Sequence, residues 1–164
     1  MNHVIRHSDK RDIEGLRILH GQRSCYLQTL QLPFPSYELW EERHQSIPEN
    51  LYSLVAVEDD RVIGQIGFEV CSNPRRKHVA NMGMVVDEEC RGNGIGSALV
   101  EAMLEMCEKW LSVSRIELEV YTDNLPAIGL YKKYGFYVEG TAREYAFRNG
   151  EFADVHLMAK LVQR

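Results

Sequence analysis

The clearest pattern in the chain lies over residues 95–110. Ile95, Ala98, Leu99, Ala102, Met103, Met106 and Trp110 recur at helical spacing, with Glu101, Glu105, Glu108 and Lys109 on the opposite side. That predicts an amphipathic helix. The period is two on either side of it. Ile116, Leu118 and Val120 alternate with Glu117, Glu119 and Tyr121, as in a strand with one apolar face. Residues 51–57 and 61–70 are rich in β-branched side chains and flank Glu58-Asp59-Asp60, which predicts a hairpin. A third strand is expected over 78–86.

The N-terminal part reads as a short strand over 4–6 and then a helix. Ser8 is its expected N-cap, Asp9 and Asp12 sit in its first turn, and Ile13, Leu16 and Leu19 or His20 line its inner side. Pro33 and Pro35 exclude a helix from 31–36, leaving a loop with Phe34 as an exposed aromatic. A second helix is expected from Ser36, carrying Leu39 and Trp40. After residue 121, Asn124 and Pro126 open a further helix with Ala127, Leu130, Tyr131 and Tyr134 inward, and Gly135 ends it. Two last strands, 136–147 and 151–160, flank Asn149-Gly150, a type I′ turn signal. The predicted order is β-α-α-β-β-β-α-β-α-β-β, with one β-α-β crossover among antiparallel hairpins. No linker, repeat or charge block divides it, so residues 1–164 read as one domain.

Composition narrows the function classes. Hydrophobic residues make up 45% and charged residues 26% of the 164, values of an ordinary globular chain. The net charge of −5 is the wrong sign for non-specific nucleic-acid binding. No apolar run approaches the length of about 18 residues that a membrane helix needs, and the start lacks the apolar stretch of a signal peptide. A cytoplasmic protein without nucleic-acid or membrane partners is expected. Cys25, Cys71, Cys90 and Cys107 have no C-x-x-C spacing, and the six histidines form no ligand pair, so no disulfide framework and no metal site are expected.

The chemistry-bearing segment is Arg91-Gly92-Asn93-Gly94-Ile95-Gly96-Ser97, between a predicted strand and the start of the best helix. Glycines there let several backbone N–H groups converge, and the helix end adds partial positive charge, so the segment suits a phosphate or pyrophosphate. Arg91 can add a charge-assisted bond. A Walker A loop is excluded, since its lysine is missing. A Rossmann loop has its glycines, and Glu117 lies about 20 residues on. However, Asp87-Glu88-Glu89 separates the strand from the glycines, and only one crossover is present.

Arg91-x-x-Gly94-x-Gly96 resembles the Q/R-x-x-G-x-G/A motif of the GNAT superfamily of N-acetyltransferases. Asn124-x-x-Ala127-x-x-x-Tyr131-x-x-x-Gly135-Phe136 is similar to that superfamily's second signature, at the usual separation. Segments 31–36, 74–80, 105–111, 131–136 and 145–151 further resemble a bacterial branch of L-amino-acid N-acetyltransferases acting on phenylalanine and methionine. The likeness covers essentially the whole chain. It implies an α/β (α+β) fold: a mixed, mostly antiparallel sheet of six to seven strands, a V-shaped splay between the two central strands, and about four flanking helices.

The resemblance also implies acetyl-CoA as co-substrate and a small-molecule primary amine as acceptor, joined by direct attack in a ternary complex. The amides of Gly92, Asn93, Gly94, Ile95, Gly96 and Ser97 would cradle the pyrophosphate. Backbone groups of Met84, Val85 and Val86 would pair with the pantetheine arm and hold the thioester oxygen. Asn124 and Ala127 would contact the arm from the other side, and Tyr131 would be the general acid at the sulfur. Glu119 is a candidate water-mediated base and Glu69 is another. A strong base is not required, because an α-amine has a pKa of about 7.7–8.0. Phe34 and Arg75 are candidate acceptor contacts, with Arg76 and Arg143 as alternative cations. A polyamine, a protein N-terminus, or a CoA-binding sensor without turnover are the competing readings. The family's frequent homodimers make a second copy of the chain a candidate partner.

Overall fold

A computed structural model of the chain describes residues 2–162. Its strands are β1 (Val4–His7), β2 (Leu51–Glu58), β3 (Arg61–Val70), β4 (Val79–Val86), β5 (Arg115–Tyr121), β6 (Tyr137–Arg148) and β7 (Glu151–Leu161). Its α-helices are α1 (Ile13–Gly21), α2 (Arg23–Tyr26), α3 (Tyr37–Gln45), α4 (Ile95–Lys109) and α5 (Leu125–Lys133). The strands make one sheet in the order β1-β2-β3-β4-β5-β7-β6. Its neighbours are antiparallel except β4 and β5, which α4 connects as a parallel pair. Among the described residues, no helix is long and apolar enough to cross a membrane.

The parallel pair is short. Val79, Ala80 and Asn81 pair with Arg115, Ile116 and Glu117, and the pairing stops there. β3 stays paired along β4 to Val86, and β7 along β5 to Tyr121. The inner edges of β4 and β5 therefore part toward their carboxyl ends and open a V in the middle of the sheet.

Each face of the sheet has its own core. On one face, α4 and α5 bring Leu99, Met103 and Tyr131 against Ile66, Phe68, Ile116, Leu118 and Met158. On the other, α1, α2 and α3 bring Leu16, Leu19, Cys25 and Trp40 against Val55, Val62 and Val85. Alternation along β4 supplies both: Met82, Met84 and Val86 face the first core and Val85 the second.

Four details differ from the sequence reading. Asp9, not Ser8, caps the first helical turn: its carboxylate accepts from the Arg11 amide, while Asp12 accepts from the Asp9 amide. The described residues hold five α-helices where about four were expected, because Arg23–Tyr26 is too short to show a period. The buried stripe of α4 is Ile95, Leu99, Val100, Met103 and Cys107, turned by about one position from the predicted face. Trp110 lies just past the last helical residue and is 77% exposed. Strand β6 begins at Tyr137, since Gly135 at φ +91° turns the chain and drops Phe136 into the core beside Tyr131.

Candidate active site

The V leads into a cleft of about 700 Å³ running between the two halves of the sheet. At one end lies the glycine loop. Gly92 and Gly94 take φ of +78° and +81°, a region that favours glycine, and Gly94 is the N-cap of α4. The first bond of the helix runs from the Ala98 amide to the Gly94 carbonyl at 3.0 Å. Among the described residues, no protein acceptor meets the amides of residues 92–97. Six unspent donors at a helix start form a site for an anion.

The loop is braced from outside the cleft. Asp87 is buried and accepts from Gln22 Nε2 at 2.8 Å, Arg61 at 3.0 Å and the Glu89 amide at 2.9 Å. Arg91 lines the cleft, yet its Nε donates to the Val86 carbonyl at 3.2 Å and its Nη2 lies 3.5 Å from the Ser24 carbonyl. Part of its donor capacity thus ties the loop to β4 and α2. Asn93 donates back to the Cys90 carbonyl at 3.2 Å, and its side chain is outside the cleft lining.

Along the middle run Met84, Val85 and Val86, on the edge of β4 that β5 has left. Asn124 caps α5 by accepting from the Ala127 amide at 3.4 Å, and both residues line the cleft. α5 presents Tyr131, which is 5% exposed and packs on the Phe136 ring at 5.8 Å. Among the described residues, nothing in the protein hydrogen-bonds its hydroxyl. Burial pushes its pKa up to about 12, so the phenol stays protonated at neutral pH.

The far end is lined by Gln28, Thr29, Asn81, Glu119, Tyr121, Asp123 and Tyr145, while Ser24 lies beside Arg91 at the glycine loop. Glu119 is exposed and accepts from Asn81 Nδ2 at 3.4 Å. Tyr121 donates to the Thr29 carbonyl at 3.2 Å.

Most residues singled out from the sequence thus meet in one place: Met84, Val85, Val86, Arg91, Gly92, Gly94, Ile95, Gly96, Ser97, Glu119, Asn124, Ala127 and Tyr131 all line the cleft. Phe34, Arg75, Arg76, Arg143 and Glu69 do not. Phe34 is 95% exposed at φ +61°. Arg76 instead pairs with Glu117 at 3.0 Å. The far-end residues Gln28, Thr29, Asn81, Tyr121 and Tyr145 escaped the sequence reading, because they are ordinary types on separate segments. One general signal points to part of them: ligands bind beyond the carboxyl ends of strands where a sheet changes direction, and β5 ends at Tyr121.

Residues 16–136 match the model of the acetyltransferase (GNAT) family. The chain is 48% identical over 158 residues to the L-amino acid N-acetyltransferase AaaT of Escherichia coli, covering 96% of this chain and 97% of that one. The fold matches a GNAT-family acetyltransferase from Streptococcus pneumoniae at TM-score 0.82 and 26% identity, over 99% of this chain and 100% of the other. It also matches a spermidine N-acetyltransferase from Vibrio cholerae, solved with CoA and spermine, at TM-score 0.86 and 24% identity, over 97% and 95% of the two chains.

Proposed function

This chain belongs to the GNAT family of acetyltransferases, and on that premise we propose that it moves the acetyl group of acetyl-CoA to the α-amine of a free L-amino acid. The observation that carries the acceptor class is the 48% identity, across nearly both whole chains, to an L-amino acid N-acetyltransferase. The residues of the cleft fit the donor: six unspent amides suit a pyrophosphate, and a free strand edge suits an amide-bearing arm.

Acetyl-CoA supplies an acetyl group on a thioester, open to direct attack by a neutral amine. In this reading the amides of residues 92–97 bind its pyrophosphate, and the edge of β4 at Met84, Val85 and Val86 orients the arm. An amide of that edge faces the negative charge that grows on the carbonyl oxygen. Tyr131 holds its proton at the hydroxyl and hydrogen-bonds the departing sulfur. With a pKa of about 12 against about 8.5 for an ordinary thiol, it acts mainly as a hydrogen-bond donor and less as a complete proton donor. Glu119, beside Asn81 in the cleft lining, receives the proton of the amine through water.

A second reading has its own support. Glu119 lines the cleft with an exposed carboxylate that would also suit a second cationic group, as on a polyamine, whereas the Asp123 carboxylate is paired with Arg148. The test is thiol release from acetyl-CoA with free L-amino acids, spermidine, spermine, an aminoglycoside and short peptides. Release with phenylalanine or methionine is expected. Release with spermidine alone would replace the acceptor and keep the mechanism. Binding of acetyl-CoA without release from any amine would overturn the reading.

A further inference from the structure

Arg148, at the end of β6, does not line the cleft, yet it touches three parts of its far wall. Its Nη1 donates to the Leu27 carbonyl at 3.1 Å, on the segment that supplies Gln28 and Thr29. Its guanidinium lies 4.1 Å from the centroid of the Tyr121 ring, at the end of β5. Its Nη2 pairs with the Asp123 carboxylate, next to Asn124, the cap of the helix that carries Tyr131. Tyr121 closes the circuit by donating to the Thr29 carbonyl at 3.2 Å. One residue on, Asn149 in the β6–β7 turn receives Arg23 of α2 at 3.3 Å. The wall joins segments far apart in the sequence, and a planar, always-charged fork is suited to hold them together.

We propose that Arg148 is a positioning residue for the acceptor. It locks the 27–30 wall, the Tyr121 ring and the start of α5 into one arrangement, so the acceptor amine meets the thioester in one orientation. It contacts neither the glycine loop nor the free edge of β4, so it makes no direct contact with the pyrophosphate end of the cleft. The inference rests on the acceptor reading above for its kinetic consequence, and on the geometry alone for its structural one.

The test uses Arg148→Ala, Arg148→Lys and Tyr121→Phe in the full chain. Loss of a charged hydrogen-bonding group at this wall is expected to raise the KM for the acceptor about tenfold in Arg148→Ala. Kd for acetyl-CoA, read by calorimetry, is expected to stay within about twofold. Arg148→Lys keeps the charge without the fork and is expected to fall near alanine. Tyr121→Phe keeps the ring under Arg148 but loses the bond to Thr29, and is expected to give a smaller rise. Hydrogen exchange of the 22–30 amides, measured on the protein alone, is expected to speed up in Arg148→Ala. Unchanged exchange there overturns the proposal whichever amine is the acceptor. So does an acceptor KM that does not move, or one that moves in step with the Kd for acetyl-CoA. Should the wild type acetylate only a polyamine, the amino-acid reading fails, and the same KM comparison is made with that amine.

Discussion

Arg6 and Asp12 are joined by two parallel hydrogen bonds, at 2.7 and 2.8 Å, between the first strand and the first helical turn. The Asp12 side chain is nearly buried, and the Asp9 amide also donates to it, at 2.8 Å. Burial pushes the Asp12 carboxyl up, but the hydrogen bonds from Arg6 and Asp9 and the charges of Arg6 and Arg11 bring it below its ordinary value. A folded pKa below the unfolded one stabilises the protein above the ordinary aspartate range. That contribution is lost as the pH falls through the lowered value. Asp12→Asn is expected to cost about 1.5–3 kcal/mol at neutral pH and to flatten the acid side of the stability curve. Urea titrations from pH 3 to pH 7 check both; a mutant curve parallel to the wild type would remove Asp12 from this role.

Tyr131→Phe keeps the ring against Phe136 and removes only the hydroxyl. Turnover is expected to fall by about 10²-fold with the affinity for acetyl-CoA nearly unchanged. Because burial holds the phenol near 12, the wild-type rate is expected to climb with pH as the amine deprotonates and to show no fall from Tyr131 below pH 10. Steady-state rates across pH 6–10 for both proteins decide it, and equal rates would take the hydroxyl out of the chemistry.

A Cβ on Gly94 would meet nothing within 4 Å, so the demand there is conformational rather than steric. Its φ of +81° is costly for a residue with a Cβ, by about 1–2 kcal/mol. Gly94→Ala is expected to weaken acetyl-CoA binding roughly tenfold if the strain is relieved by turning the loop amides away. Calorimetry gives the Kd and thermal denaturation the stability. A stability loss of about 1–2 kcal/mol with normal binding would show that the amides keep their aim.

Gly15 in α1 is a steric case instead. A Cβ there would lie 2.7 Å from Cγ2 of Val62 and 3.1 Å from its Cβ. Alanine gains about 1 kcal/mol of helix propensity over glycine, but overpacking costs about 1–3 kcal/mol. Gly15→Ala is expected to lower Tm in the wild-type background and to raise it in a Val62→Ala background. A double-mutant cycle by thermal denaturation tests the coupling, and additive effects would mean α1 shifts freely away from β3.

The strands, hairpins and main helices were legible because each is set by local pattern. The Asn149-Gly150 turn takes φ of +49° and +82°, as its dipeptide predicts. Ser36 accepts from the Leu39 amide at 3.1 Å, as a helix cap does. What was less legible follows from competition. Ser8 and Asp9 are both good caps, and Asp9 wins through its exchange with Asp12. The stripe of α4 turned by one position because small residues such as Ala98 and Ala102 sit equally well at the edge of a buried face. The Phe34 loop was located correctly, but nothing local says whether an exposed aromatic reaches a cleft.

By itself the sequence determined the order of the strands and of the longer helices, the family through two spaced motifs, and the glycine loop with its unspent amides, since backbone conformation and helix starts depend on neighbours a few residues apart. Tertiary structure alone decided the far end of the cleft. Thr29, Tyr121 and Arg148 come together only because the 23–29 segment and the β6–β7 turn both meet the end of β5. Contacts made across such sequence distances carry no period and no spacing, so only the packed sheet brings them into one wall.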